Sequence, residues 1–304
     1  MMISASHTRP GNTLLPRRWH PAPFALVTLF LHLACLIALV LHPDIWPWVT
    51  GALALNHLAV LAAVLWPRGS LLGPNLVRLP ASAIQRRQVA LTFDDGPDPD
   101  VTPHVLELLD QYQAKASFFC IGKKAAAHPD IVKEIIRRGH SVENHSYRHS
   151  WAFALYGFFR LRREVDTAQS VIAGIAGQSP LFFRAPAGFR SPLLDPVLAQ
   201  RGMHYVAWTR RGFDTVSRNS SQVLQRLLRG LAAGDILLLH DGSHARTDAG
   251  EPIALAVLPA LLNQLATCGL KSVSLPTACH TGLLTQSSVA TASIQHIKKI
   301  NHHV

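Results

Sequence analysis

The stretch VALTFDDGP at residues 89–97 decides the fold that we expect for most of this chain. Its apolar half predicts a buried strand over 89–93, and the Asp-Asp-Gly-Pro turn ends that strand. A second polar stretch, HSYRH at residues 145–149, lies about fifty residues further on. Together the two stretches offer one carboxylate and two imidazoles as metal ligands, with a second carboxylate left over as a base. This is the minimum set for metal-assisted hydrolysis.

Short apolar runs alternate with amphipathic stretches from residue 87 onward. The apolar runs predict strands at 89–93, 116–121, 141–144, 181–184, 205–208, 236–239 and 272–275. The amphipathic stretches predict helices at 103–112, 129–138, 160–173, 193–201, 221–232 and 253–268. This alternation favours an α/β fold with a parallel sheet, closed or nearly closed into a barrel. A barrel carries its chemistry at the carboxyl ends of its strands, where the polar motifs fall.

Two long apolar stretches, at residues 23–41 and 45–66, precede this region. Each is close to the ~20 residues that span a bilayer, and Pro43 and Asp44 between them suit a tight turn. Three tryptophans lie near the ends, as interfacial aromatics do: Trp46, Trp48 and Trp66. We predict a transmembrane hairpin of two helices at 23–66. A cleaved signal peptide, a re-entrant hairpin and a hairpin buried on the catalytic domain are the alternatives.

Arginines flank the hairpin on both sides, whereas its turn has no Lys or Arg. The positive-inside rule therefore predicts that both ends and the catalytic domain face the cytoplasm, at an inner membrane of the bacterial type. A periplasmic domain is the alternative. We divide the chain into an N-terminal segment (1–22), the hairpin (23–66), a basic linker (67–86), the catalytic domain (87–280) and a polar tail (281–304).

The formal net charge of +11 suits contact with anionic lipid or with a phosphorylated substrate. No basic module interleaved with aromatics stands out, so we expect no nucleic acid partner. The four cysteines form no CxxC pair, and we expect free thiols, with a disulfide between Cys268 and Cys279 left open.

The predicted metal ligands are Asp95, His145 and His149. A carboxylate with two neutral imidazoles suits zinc, and also cobalt, manganese or iron. Neighbouring residues at a strand end point in different directions, so Asp94 can act as a base toward water at the metal. Arg184 precedes a Pro/Gly turn, where it can pair with a carboxylate and keep it ionised.

His240 ends the apolar run over 236–239, and we expect it to be the general acid that serves the leaving amine. Asp214 could accept a hydrogen bond from His240 and raise its pKa. Leu237 and Leu239 could form the wall of a small pocket for an acyl methyl group.

These motifs resemble, in order, the five motifs of the NodB-like polysaccharide deacetylases, the family-four carbohydrate esterases. The matching positions are 92–97, 145–149, 184–188, 214 and 237–240. The resemblance covers about 87–275 and implies a distorted (β/α)7–8 barrel, here preceded by two transmembrane helices. It implies metal-dependent removal of an N-acetyl, sometimes formyl, group from a sugar. It also implies Asp94 as base, Arg184 as the residue that orients it, and His240 as acid.

The resemblance further implies substrate contacts from Pro186, Ala187 and Gly188, with the Ala187 amide binding the oxyanion. Ala187 and Thr215 stand where the family usually has aromatic residues, which thins the aromatic lining of the substrate groove. The hairpin suggests a lipid-linked amino sugar, on polyprenyl phosphate or another lipid, with phosphate contacts from Arg190, Arg210 and Arg211. The alternatives are an outward-facing deacetylase of peptidoglycan or exopolysaccharide, and a non-catalytic sugar-binding membrane protein.

Overall fold

The computed structural model describes residues 18–279 of the 304 in the chain. The predicted polar tail at 281–304 and most of the predicted segment 1–22 lie outside the described residues. Helices α1 (Pro23–Leu41) and α2 (Trp46–Leu65) form a hairpin, with a short 3-10 turn at Pro43–Ile45 between them. Both are long and apolar enough to cross a membrane. A hydrogen bond of 3.2 Å from Thr28 to Asn56 joins them.

The predicted α/β fold is confirmed, because the strands that follow are parallel and are separated by helices. The strands are β1 (Gln88–Asp94), β2 (Ala116–Cys120), β3 (Ser141–Asn144), β4 (Phe182–Phe183), β5 (His204–Tyr205), β6 (Arg210–Arg211), β7 (Ile236–His240) and β8 (Lys271–Ser272). Their order across the curved sheet is β5-β4-β3-β2-β1-β7-β6, and β8 pairs with the first residues of β1.

The helices after the hairpin are α3 (Ala81–Gln85), α4 (Thr102–Gln111), α5 (Gly122–Ala127), α6 (Pro129–Arg137), α7 (Phe158–Ala176), α8 (Leu194–Gln200), α9 (Ser220–Leu228) and α10 (Ile253–Thr267). The sequence did not predict α3, α5 or β6, which are short. Helix α9 ends before the predicted residue 232, because Gly230 adopts a left-handed conformation with φ of 68°. The four cysteines are free, so the disulfide left open above is absent.

Both faces of the central strands are buried. On the outer face, Leu91 and Phe93 pack beneath the helices in one large apolar cluster. On the inner face, Ala90 and Phe119 pack against Ala83 of α3 and fill the barrel interior. Burial on both sides explains why these strands read as continuous apolar runs and not as alternating ones.

Residues 76–79 occupy the gap between the two edge strands, β5 and β6. Leu76 pairs with Val206 in a parallel bridge beyond β5. On the other side, the Leu79 amide donates to the Gly234 carbonyl at 2.8 Å, and the Thr209 hydroxyl donates to the Val77 carbonyl at 3.2 Å. Part of the predicted basic linker therefore packs into the barrel wall and connects the hairpin to it directly.

Candidate active site

The predicted site residues meet at one rim of the barrel. Asp94 and His240 are the last residues of β1 and β7, while His145 and Arg184 directly follow β3 and β4. Since all four strands are parallel, their carboxyl ends open on the same side. Asp214 reaches this rim from the loop after β6.

Asp95, His145 and His149 converge on one point. Oδ1 of Asp95 lies 3.2 Å from Nε2 of His145 and 2.9 Å from Nε2 of His149, and the ligand atoms are all within 4.8 Å of one another. Nδ1 of His145 lies 2.8 Å from the carbonyl oxygen of Arg184. A carbonyl can only accept, so this nitrogen carries the proton, and in the neutral ring Nε2 turns a lone pair toward Asp95.

The three side chains fit a divalent metal. Oδ1 of Asp95 is buried and has no hydrogen-bond donor within the described residues. Burial raises the pKa of Asp95, but the two imidazoles lower it more, so that pKa lies well below its usual range. Burial lowers the pKa of His145, yet Asp94 and Asp95 raise it above its ordinary value. The cluster thus attracts positive charge, and its carboxylate and imidazole donors suit zinc and related metals.

The turn after β1 requires glycine at position 96. A Cβ atom there would come within 2.2 Å of Oδ2 of Asp241, a buried carboxyl group that accepts a 2.6 Å hydrogen bond from Thr102. Asp95 itself has a left-handed φ of 71°, which non-glycine residues rarely adopt. The Asp-Gly pair therefore sets the direction of the Asp95 side chain through tight packing against the turn after β7.

Arg184 holds Asp94 in place. Its Nη1 donates to Oδ1 of Asp94 at 2.6 Å and to the Thr92 hydroxyl at 2.9 Å. Its other nitrogens donate to the carbonyls of Val206 and Ala207, and the guanidinium is fully buried. With Oδ1 engaged, Oδ2 of Asp94 lies 3.8 Å from Nε2 of His145, on the side of the predicted metal ligands.

His240 and Asp214 form a second buried pair. Nδ1 of His240 lies 2.9 Å from Oδ1 of Asp214, and the His240 amide donates to Oδ2 at 2.7 Å. Burial lowers the pKa of His240, but the Asp214 carboxylate outweighs it, with smaller contributions from Asp94 and Asp95. The resulting pKa is about 9. His240 is therefore an imidazolium near neutral pH and has a proton to give.

The predicted substrate-binding loop lies beside the end of the hairpin. Pro186–Gly188 form a 3-10 turn in which Ala187 has a φ of 53°. A Cβ atom on Gly188 would lie 2.6 Å from the Trp208 ring and 3.0 Å from Pro67. Only glycine allows this close approach, which places the turn directly against Trp208 and the residues that follow α2.

The predicted acyl wall formed by Leu237 and Leu239 is wrong. Both leucines face outward and belong to the apolar cluster beneath the helices. Side chains alternate along a strand, so Leu238 shares the inner face with His240, and it packs against Trp208.

Two of the three arginines predicted to contact phosphate instead pair with carboxylates of the fold. Arg190 pairs with Asp195 at 2.9 Å and donates to the Gly73 carbonyl. Arg210 is bonded to Asp235. Arg211 differs, because it has no carboxylate partner within residues 18–279.

Three side chains at the site were not predicted. The Thr92 hydroxyl accepts from Arg184, and the amine of Lys124 donates to the Asp95 carbonyl at 2.7 Å. The Trp208 ring lies 5.8 Å from the guanidinium of Arg184. Trp208 follows β5, so the rule that site residues follow barrel strands could have found it. Lys124 lies on α5, a short helix without a clear sequence signal.

Known proteins are similar to this chain in sequence. The sequence model of a family described as polysaccharide deacetylase matches residues 82–206. A peptidoglycan-N-acetylglucosamine deacetylase of Bacillus cereus is 32% identical over 178 residues, which are 58% of this chain and 82% of that protein. A chitooligosaccharide deacetylase of a Bradyrhizobium species is 34% identical over 157 residues, which are 51% of this chain and 71% of that protein.

The fold is similar to that of solved deacetylase structures. The crystal structure of a peptidoglycan N-acetylglucosamine deacetylase aligns with a TM-score of 0.61 at 27% identity. The alignment covers 68% of this chain and 92% of the other. The two apolar helices, Asp214 and His240 lie outside the residues that the family model matches.

Proposed function

This chain belongs to the polysaccharide deacetylase family, and we propose that it is a membrane-anchored, metal-dependent enzyme that removes an acetyl or formyl group from the nitrogen of an amino sugar. The family consists of hydrolases that act on N-acetyl amide bonds. The observation that carries the proposal is the meeting, at one rim, of three side chains that could hold a metal with two buried pairs, Arg184–Asp94 and His240–Asp214.

Asp95, His145 and His149 would hold the metal, with zinc as the leading candidate and cobalt, manganese or iron as alternatives. When bound, the metal polarises the carbonyl of the scissile amide and makes water a better nucleophile. Asp94 removes a proton from the attacking water, since Arg184 occupies one of its oxygens and leaves the other directed toward the ligands. The Ala187 amide is the donor for the negative charge that develops on the carbonyl oxygen.

His240 completes the reaction on the leaving group. When the carbon–nitrogen bond breaks, the imidazolium gives its proton to the amine nitrogen of the sugar. Asp214 orients the ring and stabilises its charged form, as the carboxylate of a Ser-His-Asp triad does. The products are a free carboxylic acid and an amino sugar.

We further propose that the amino sugar is lipid-linked. The amide of Arg190 donates to the carbonyl of Val64 in α2 at 3.2 Å, and the turn at Gly188 packs on Pro67. The catalytic rim is thus held beside the end of an apolar helix that would lie at the membrane surface. The arginines that flank the hairpin favour a cytoplasmic catalytic domain.

The second candidate is an outward-facing deacetylase of peptidoglycan or another envelope polymer. The names of several relatives favour it, because they are described as peptidoglycan deacetylases. Fusions after Val304 separate the two candidates. Fluorescence of a cytoplasmic reporter, without activity of a phosphatase that works only in the periplasm, would support the inward orientation. The opposite pattern would support the second candidate.

The proposed activity is tested by acetate and formate release from detergent-solubilised full-length protein loaded with Zn²⁺. A lipid-linked N-acetyl amino sugar and chito-oligosaccharides are offered separately. We expect release from the lipid-linked sugar and a loss of about 100-fold or more in Asp94→Asn, since a general base contributes about that much. Asp100→Asn, an exposed carboxylate on the same connection, is the matched control. No release from either substrate, or an Asp94→Asn enzyme as active as the control, would contradict the proposal.

A further inference from the structure

A cavity of about 710 Å³ lies between the end of α2 and the barrel. One wall is apolar and consists of Ala62, Leu65 and Trp66 from α2 and the residue after it. The opposite wall is formed by β6, the loop after it and α9. None of the metal ligands lines this cavity, so it is distinct from the metal site.

The charge of the lining is of one sign. Five arginines line the cavity and no aspartate or glutamate does. Arg210 pairs with Asp235, which also pairs with Arg78. The other four form no ion pair with a carboxylate within residues 18–279: Arg68, Arg211, Arg226 and Arg229. So many unpaired cations around one cavity favour an anionic ligand.

Two aromatic rings contact the guanidinium of Arg211. It lies 5.4 Å from the centre of the Trp208 ring and 4.9 Å from that of Phe213. Its Nε is buried and has no hydrogen-bond partner among the described residues. The guanidinium of Arg226 lies 5.7 Å from the centre of the same Phe213 ring. Stacked guanidinium groups with unused N–H donors are suited to bind phosphate oxygens.

The cavity also adjoins the catalytic rim. Trp208 and Pro67 line it, and both contact the turn at Gly188. Phe213 lines it too, and the next residue, Asp214, binds His240. A sugar attached to a phosphate in the cavity would therefore lie next to the catalytic rim.

We propose that this cavity binds the phosphate of a lipid-linked amino sugar, with Arg211 and Arg226 as its main contacts and the apolar wall of α2 against the lipid chain. The inference rests on the proposed function, because it assigns a subsite to that substrate. The ligand is a lipid phosphate and not a free phosphate, since the apolar wall continues into a helix long enough to span a bilayer. Trp66, which is 64% exposed, suits the interface between the bilayer and water at the end of this helix.

The dissociation constant of each probe is measured at equilibrium, without any catalytic assay, on the full-length protein in nanodiscs of zwitterionic lipid. The three probes are farnesyl phosphate, farnesol and inorganic phosphate. The double variant Arg211→Gln/Arg226→Gln is compared with Arg163→Gln, an exposed arginine of α7 outside the cavity. Arg226→Lys is a second variant that keeps the charge at an exposed position and should fold normally.

We expect farnesyl phosphate to bind at least about 10-fold more tightly than either of the other probes. We expect the double variant to lose about 10-fold or more of that affinity, since hydrogen bonds to charged groups are strong. Arg163→Gln should bind like the wild type, and Arg226→Lys should fall between. Equal binding by the double variant and the control would overturn the proposal, and so would inorganic phosphate binding as tightly as farnesyl phosphate.

The two proposals can fail separately. Release of acetate from chito-oligosaccharides without any binding of farnesyl phosphate would overturn the phosphate site and leave the deacetylase standing. Binding of farnesyl phosphate that depends on Arg211 and Arg226, without hydrolysis of any N-acyl sugar, would support the site and count against the enzyme.

Discussion

Replacing Asp214 by asparagine should move the alkaline limb of the pH–rate profile. The buried pair of His240 and Asp214 sets the pKa of His240 at about 9, against an ordinary value of 6.5. At pH 7.5 a group with the first pKa is about 97% protonated and one with the second about 9%. Asp214→Asn removes the main cause of the upward shift, whereas the burial that lowers the pKa remains. The acid form should therefore fall roughly tenfold at pH 7.5.

The assay is kcat/KM for acetate release from pH 5.5 to 10, at a saturating metal concentration. A bound metal adds positive charge and lowers the pKa of His240 in the wild type and in the variant alike. The prediction therefore concerns the difference between their alkaline limbs. We expect the alkaline limb of Asp214→Asn to lie about 2 pH units or more below that of the wild type. Asp248→Asn, an exposed carboxylate in the loop after β7, is the matched control. Coincident alkaline limbs in wild type and Asp214→Asn would refute the assignment of His240 as the acid.

Three further outcomes are expected. Arg184→Met leaves the buried Asp94 carboxylate unpaired, so the free energy of unfolding should fall by about 3–5 kcal/mol, and an unchanged denaturant midpoint would contradict this. Gly96→Ala places a Cβ atom 2.2 Å from Asp241 and should reduce both the melting temperature and zinc affinity; wild-type values would argue against the close packing. Burial raises the pKa of Glu143 to about 7, so its ionisation destabilises the folded state as pH rises from 4.5 through 7; Glu143→Gln should raise the melting temperature at pH 8 and not at pH 4.

Much of the site could be predicted because its residues follow strands in the sequence. Asp94, His145, Arg184 and His240 each end or directly follow a short apolar run, and a parallel barrel brings such positions to one rim. Once these positions meet at one rim, side chains such as Arg184 and Asp94 lie close enough to form a hydrogen bond across the sheet. The chemistry of the side chains alone indicates which of them can bind a metal and which can carry a proton.

Which residues of a fully buried strand face the barrel interior could not be predicted. Every residue of β7 is buried, so its apolar run does not reveal which side faces the barrel interior. The motif favours Leu237 and Leu239 as site residues, whereas in the structure Leu238 shares the face of His240. The alternation from His240 backward would have given the correct face, since residues two apart along a strand point the same way.

The partners of the three arginines near the site could not be predicted either. Arg190, Arg210 and Arg211 are equally basic in the sequence, but the first two meet Asp195 and Asp235. Asp235 lies in the turn before β7, far from Arg210 in the sequence and adjacent to it only because β6 and β7 pair. Of these three arginines, only Arg211 has no carboxylate partner within residues 18–279, and the tertiary structure is needed to show this.

The central claim, a catalytic metal held by Asp95, His145 and His149, is tested most directly by metal titration. Full-length protein is stripped with a chelator and titrated with Zn²⁺ while acetate release from its substrate is followed. We predict negligible release without metal, a rise that stops at one ion per chain, and no rise in Asp95→Asn. Full activity in the stripped protein, or the same rise in Asp95→Asn, would contradict the account.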